Sequence, residues 1–151
     1  MLLILILQVW SIMIGLDTNI LARYYIDDAQ DAESQHQRVS ARELVESGQS
    51  LMVAKTVLLE LEWVMRGYYG FSVAEIMQVF QHLCALPQVT IEDRETVSQA
   101  IEHCLAGLEF ADALHLSSYR SCATVASFDD KKFARRVKRM GLSPSVSVPK
   151  R

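Results

Sequence analysis

Cysteine, proline and glycine are all scarce in this 151-residue chain, at three, three and six residues. The cysteines, Cys84, Cys104 and Cys122, form no C-x-x-C motif and are odd in number, which excludes a disulfide-stapled framework and favours a reducing, cytoplasmic home. Each has apolar neighbours, among which a reduced thiol packs as a small hydrophobe. The few Pro and Gly are scattered, and no fixed-period repeat appears, so collagen-like, linker-like and low-complexity architectures fall away. Missing too are the G-x-x-x-x-G-K-[ST] and G-x-G-x-x-G loops that cradle phosphates and the G-x-S-x-G elbow that presents a nucleophilic serine. His82 near Cys84 and His103 beside Cys104 lie on apolar helical stretches without the loop spacing of zinc ligands, so packing is the expected role.

Acids are absent from the end of the chain. Residues 131–151 carry eight Lys and Arg and no Asp or Glu, whereas the preceding 130 residues hold seven against eighteen acids, a net of −11. That basic end is either a solvated helix face or a surface that holds a polyanion near an acidic centre. The one long apolar run, MLLILILQVWSI, lacks a charged leading region and a cleavage site. It is also shorter than the roughly 20 residues that span a bilayer. Residues 1–12 are therefore read as an apolar N-terminal extension, or as a mis-assigned start ahead of Met13, and no membrane partner is expected.

Half of the residues are apolar and 22% are charged, the balance of one globular domain with a substantial core. Short apolar runs at 12–16, 51–54, 89–91 and 123–128 read as buried strands. Between them, helical spacing predicts helices over 20–26, up to Ser47, from a cap at Thr56 to Gly67, over 73–84, 97–105 and 110–119, and over 133–140 before Gly141. Ser72 and Glu75 form a capping box ahead of the 73–84 helix. Strands alternating with helices predict an α/β fold with a central parallel sheet and helices on both faces. Sites in such sheets form beyond the carboxyl ends of strands, which places Asp17 and Asp129 on one working edge.

The carboxylates are the informative residues. Glu60 interrupts VLLELEWVM, three residues after Val57 and four before Val64, and is expected on the buried face, with Glu62 on an exposed one. Asp112 opens the apolar helix FADALHL, where its simplest role is first-turn charge favouring the helix dipole. If Asp17, Glu60, Asp112 and Asp129 converge, their repulsion is relieved by a divalent cation, and oxygen-only ligands select Mg²⁺ or Mn²⁺ over zinc.

The blocks MIGLDTNILARYYIDD, TVLLELEWVMR, EFADALHLSSYR and TVASFDDKKFAR, in this order and spacing, resemble the four acidic blocks of PIN-domain proteins. The likeness is greatest to the VapC-type ribonuclease toxins of bacterial toxin–antitoxin pairs. It covers residue 13 to about residue 148, leaving 149–151 as a tail. The resemblance implies a single PIN-like domain with metal-dependent endoribonuclease activity on RNA phosphodiester bonds. It makes Asp17, Glu60, Asp112 and Asp129 the catalytic, metal-binding acids, with Asn19 and Ser127 as supporting polar residues. Glu109 stands where the family often has a further Asp, and Asp130 directly follows the fourth acid. Lys131, Lys132, Arg135, Arg136, Lys138 and Arg139 are the candidate RNA-binding residues. A homodimer and a cognate antitoxin protein are implied as partners, with Trp63, Tyr68, Tyr69 and Phe71 as a candidate aromatic contact patch.

A non-catalytic PIN-like RNA- or protein-interaction module is the alternative. A phosphate-signalling receiver would need an acidic pair after its first strand and a lysine ending a late one, and a haloacid-type phosphatase would need D-x-D. This chain has Asp17-Thr18-Asn19 and neither lysine nor acidic pair in those places. Because the first strand and its acid are complete from Met13, a chain lacking residues 1–12 is expected to fold and to cleave RNA as the full chain does. Circular dichroism and a cleavage assay on both forms check this, and loss of folding on truncation would overturn it.

Overall fold

The computed structural model describes residues 12–150, so all of the N-terminal extension except Ile12 lies outside the described residues, as does Arg151. The fold is α/β, one domain with seven α-helices and parallel strands among the described residues. In chain order the elements are β1 (Ile14–Gly15), α1 (Thr18–Tyr25), α2 (Ala32–Val45), β2 (Leu51–Val53), α3 (Lys55–Trp63), α4 (Val73–Ala85), β3 (Val89–Ile91), α5 (Arg94–Leu105), α6 (Phe110–Ser118), β4 (Thr124–Ala126), α7 (Arg135–Met140) and β5 (Ser145–Ser147). Two π-helical turns, Val64–Tyr68 after α3 and Asp130–Ala134 before α7, complete the set. No helix among the described residues is long and apolar enough to cross a membrane.

The parallel strands fall into two sheets, β1-β2-β3 and β4-β5. The single central sheet expected from the sequence is thus divided. β4 finds its ladder partner in β5, with Ser127 N–H donating to Ser147 O at 3.0 Å and Thr124 Oγ1 to Ser145 O at 2.9 Å. Asp17 and Asp129 each follow their strand's carboxyl end, but the strands belong to different sheets. β5 was not among the expected strands, because S-V-S lies beyond the helix stop and is too short for its alternation to register.

The core is built on the first sheet. Leu51 and Val53 of the middle strand are fully buried, with Leu21, Leu61, Phe80, Leu83, Val97 and Leu116 packed around them from the helices. Each such side chain contributes about 1.5–3 kcal/mol on burial. Phe80 meets Phe110 edge-on at 5.0 Å, joining α4 to α6. Cys104 is part of this core, and burial first, then the nearby Glu62 charge, pushes its thiol up to about 11. Cys122 is exposed instead, because it sits in the turn between α6 and β4 and not on an apolar face.

Capping explains several helix starts. Asp17 caps α1, its Oδ1 accepting from Thr18 N–H at 2.9 Å, so that helix begins two residues earlier than the apolar spacing suggests. The Ser72–Glu75 capping box is present on α4. Thr56 does not cap α3. The helix follows Ala54, which offers no side-chain acceptor, and Glu92 just beyond β3 reaches over to accept from Lys55 N–H at 2.9 Å. Lys55 Nζ also pairs with Asp93 at 3.2 Å.

Candidate functional site

Beyond the carboxyl end of β1 lies a cleft of about 360 Å³ lined by Asp17, Asn19 and Arg23 of the first strand–helix junction, by Asp28, Asp31 and Ser34, and by Glu60, Val64, Tyr68 and Tyr69. Asp17 and Glu60, 43 positions apart in the chain, therefore share one opening, with Asn19 beside them. Both acids are exposed. Asp31 and Ser34 were not anticipated. Asp31 caps α2 and accepts from Ser34 Oγ at 2.6 Å, and that bond holds its carboxyl below the usual range. The D-x-x-S spacing was the available signal, hidden within a segment that reads as a polar connection.

The expected placement of Glu60 and Glu62 is reversed. Leu58, Leu61 and Met65 form the buried stripe of α3, while Val57 and Val64 are only half-buried. The helix is rotated accordingly, which turns Glu60 into the cleft and Glu62, four residues after Leu58, inward. Glu62 is 7% exposed and accepts a 2.7 Å ion-paired hydrogen bond from Arg66 Nε one turn on.

The other acids gather at α6 and the second sheet. Asp112 is half-buried, and its carboxyl titrates above the usual range, first through desolvation and then through the like charges of Glu109 and Asp129. Asp129 caps the second π-helical turn by accepting from Lys132 N–H at 2.9 Å, and its own N–H donates to Ser127 Oγ at 3.1 Å. Asp130 is occupied by a two-pronged bond from Arg135, at 3.0 and 2.7 Å. Glu109 pairs with Lys132 at 3.7 Å.

A carboxyl whose pKa folding raises weighs against the fold once it ionises. The penalty is absent below the ordinary carboxylate pKa and grows as pH rises through the higher folded value. Asp112→Asn is therefore expected to raise Tm at pH 7 in the metal-free protein and to leave it nearly unchanged near pH 3. Thermal melts at the two pH values check the sign.

Of the six candidate RNA-binding residues, Lys132 and Arg135 are ion-paired and Arg136 reaches Gly107 O at 3.5 Å. Lys131, Lys138 and Arg139 have no partner among the described residues and are exposed. On the Glu62 side of α3 lies a second cleft, of about 460 Å³, walled by Val73, Ile76, Met77 and Leu105, with Arg66, Glu109 and Arg136 also on its lining.

The donors on both sides are carboxylates, the ligand chemistry of a hard divalent cation. Asp17 and Glu60 line one cleft, and Asp112 feels the charges of Glu109 and Asp129. Among the described residues no three His, Cys, Asp or Glu are grouped so as to hold a metal ion. Comparison with known families finds that the PIN domain model matches residues 14–139. No curated protein matches the chain.

Proposed function

We propose, from the premise that this chain belongs to the PIN-domain family, that it is a Mg²⁺- or Mn²⁺-dependent endoribonuclease and the VapC-type toxin of a toxin–antitoxin pair. PIN domains are generally metal-dependent nucleases. The observation that carries the reading to this chain is the shared cleft of Asp17 and Glu60, the first two acids of the motif series. On this reading Asp17, Glu60, Asp112 and Asp129 hold the cation through carboxylate oxygens. When bound, it lowers the pKa of a water and stabilises charge on a phosphodiester. Asn19 orients the first acid group, and Ser127 fixes the backbone that carries Asp129. The raised pKa of Asp112 comes first from burial and then from the like charges of Glu109 and Asp129, and a cation would relieve the second of these.

Lys131, Lys138 and Arg139, without a partner among the described residues, are the side chains of the basic end best able to take RNA phosphates. The second cleft, with apolar walls and exposed Val73 and Leu105 at its rim, suits a segment of an antitoxin. Exposed Trp63 suits the contact between copies in a homodimer. The test is cleavage of RNA by the purified chain with Mn²⁺, Mg²⁺ or EDTA. Cleavage that requires the metal supports the nuclease.

One observation favours a second reading, the non-catalytic module: among the described residues no three His, Cys, Asp or Glu are grouped so as to hold a metal ion. RNA binding without cleavage at any metal concentration would establish that alternative.

A further inference from the structure

The segment that follows Glu60 departs from α-helical geometry. Tyr69 N–H bonds Val64 O at 3.2 Å, five residues back, and Phe71 N–H bonds Met65 O at 2.9 Å. This is a π-helical turn over Val64–Tyr68. In an uninterrupted α-helix at 100° per residue, position 68 would stand about 80° around the axis from position 60. With the last four steps in a π turn of roughly 4.4 residues, the offset falls to about 10°. The extra residue thus aligns Glu60, Val64 and Tyr68, and all three line the acid cleft.

Tyr68 is not there to fill the core. Its side chain is 76% exposed. It is nonetheless held, with its ring edge-on to Tyr69 at 4.8 Å and 77°, while Tyr69 is half-buried and in turn contacts Phe71 at 6.4 Å. The turn therefore sets an exposed aromatic face at the rim of a cleft whose floor is acidic and whose lining includes a single cation, Arg23. An exposed ring backed by a second ring at the edge of a phosphodiester-cleaving centre has a specific use, which is to take the face of a base that is free of pairing.

We infer that Tyr68 is a base-stacking residue that binds an unpaired nucleotide of the substrate next to the Asp17–Glu60 cleft. The inference rests on the nuclease reading for its substrate. A paired base buries both faces in its own stack, so only an unpaired one can lie on Tyr68.

The experiment uses the full chain and a fluorescently labelled, mixed-sequence single-stranded octaribonucleotide. Anisotropy is read with Ca²⁺ in place of Mn²⁺, and cleavage is read separately with Mn²⁺. Tyr68→Ala is expected to weaken single-strand binding roughly 5- to 100-fold, the range for loss of one base–aromatic stack. The loss falls in Kd and KM, not kcat. Tyr68→Phe and Tyr68→Trp are expected to restore binding to within about threefold, because each keeps an aromatic face. Binding of the same sequence as a duplex should be indifferent to all three changes.

Equal single-strand affinity for wild type and Tyr68→Ala would overturn the inference, as would a wild-type chain that binds no octaribonucleotide. So would a Tyr68→Ala defect that is accompanied by a changed oligomeric state in analytical ultracentrifugation, since that places Tyr68 in a protein contact. A wild-type chain that binds the octaribonucleotide through Tyr68 but cleaves nothing with Mn²⁺ would support the stacking residue and remove the nuclease reading instead.

Discussion

Glu60→Gln is expected to reduce RNA cleavage by at least about 100-fold while leaving Tm within about a degree, and Asp17→Asn to do the same. On the proposed reading each acid holds the cation, and loss of such a carboxylate should exceed the 10- to 100-fold carried by groups that merely support such ligands. Glu60 is exposed, and surface substitutions of this kind usually stay within about 0.5 kcal/mol. Glu62→Gln, two positions away, should behave in the opposite manner. It weakens the 2.7 Å charge-assisted bond from Arg66 at a buried carboxyl, costing about 1 kcal/mol because the guanidinium is half exposed to solvent. Tm should fall by about 2–4 °C with cleavage nearly unchanged. Melting curves and initial rates on the three variants decide the matter, and equal loss of activity from Glu60→Gln and Glu62→Gln would sink the assignment.

Phe80→Ala is expected to produce the largest loss of stability, about 3–5 kcal/mol. Phe80 is the largest side chain in the described core with no solvent exposure, and its ring meets Phe110 at the N-terminus of the helix carrying Asp112. Against a total of about 5–15 kcal/mol for a domain, this is a major fraction, and Tm should drop by roughly 10 °C or more. Phe80→Leu should recover most of the loss. Denaturant melts of the two variants measure it, and a cost below about 1 kcal/mol for Phe80→Ala would show that the site collapses around the vacancy.

Much of this was legible in the residues. Apolar runs bounded by turn residues locate β1 to β4, and the capping box marks the start of α4. The acids of the cleft were legible from their places in the motif series, Asp17 after a strand and Glu60 on a helix. The orientation of α3 was not. Val57, Leu61, Val64 and Met65 satisfy helical spacing as well as Leu58, Leu61 and Met65 do, and periodicity alone does not choose between stripes a fraction of a turn apart. Sheet membership was also hidden, because the pairing of β4 with β5 is a backbone ladder between segments too short to carry a side-chain pattern. The π-helical turn that aligns Tyr68 with Glu60 leaves no mark in composition, since its defining feature is a shift of hydrogen-bond partner by one residue.

The cap on α3 ties the acid cleft to a part of the chain far from it in sequence. The first turn of α3 takes its acceptor from Glu92, 37 positions downstream of Lys55, and its neighbour Asp93 grips the Lys55 ammonium. Those contacts form only when β3 has brought Glu92 and Asp93 beside Lys55, and closing so long a loop carries an entropic cost. Glu60 lies one and a half turns beyond that end. The acid that shares a cleft with Asp17 therefore stands on a helix whose start is completed by the residues that follow the third strand.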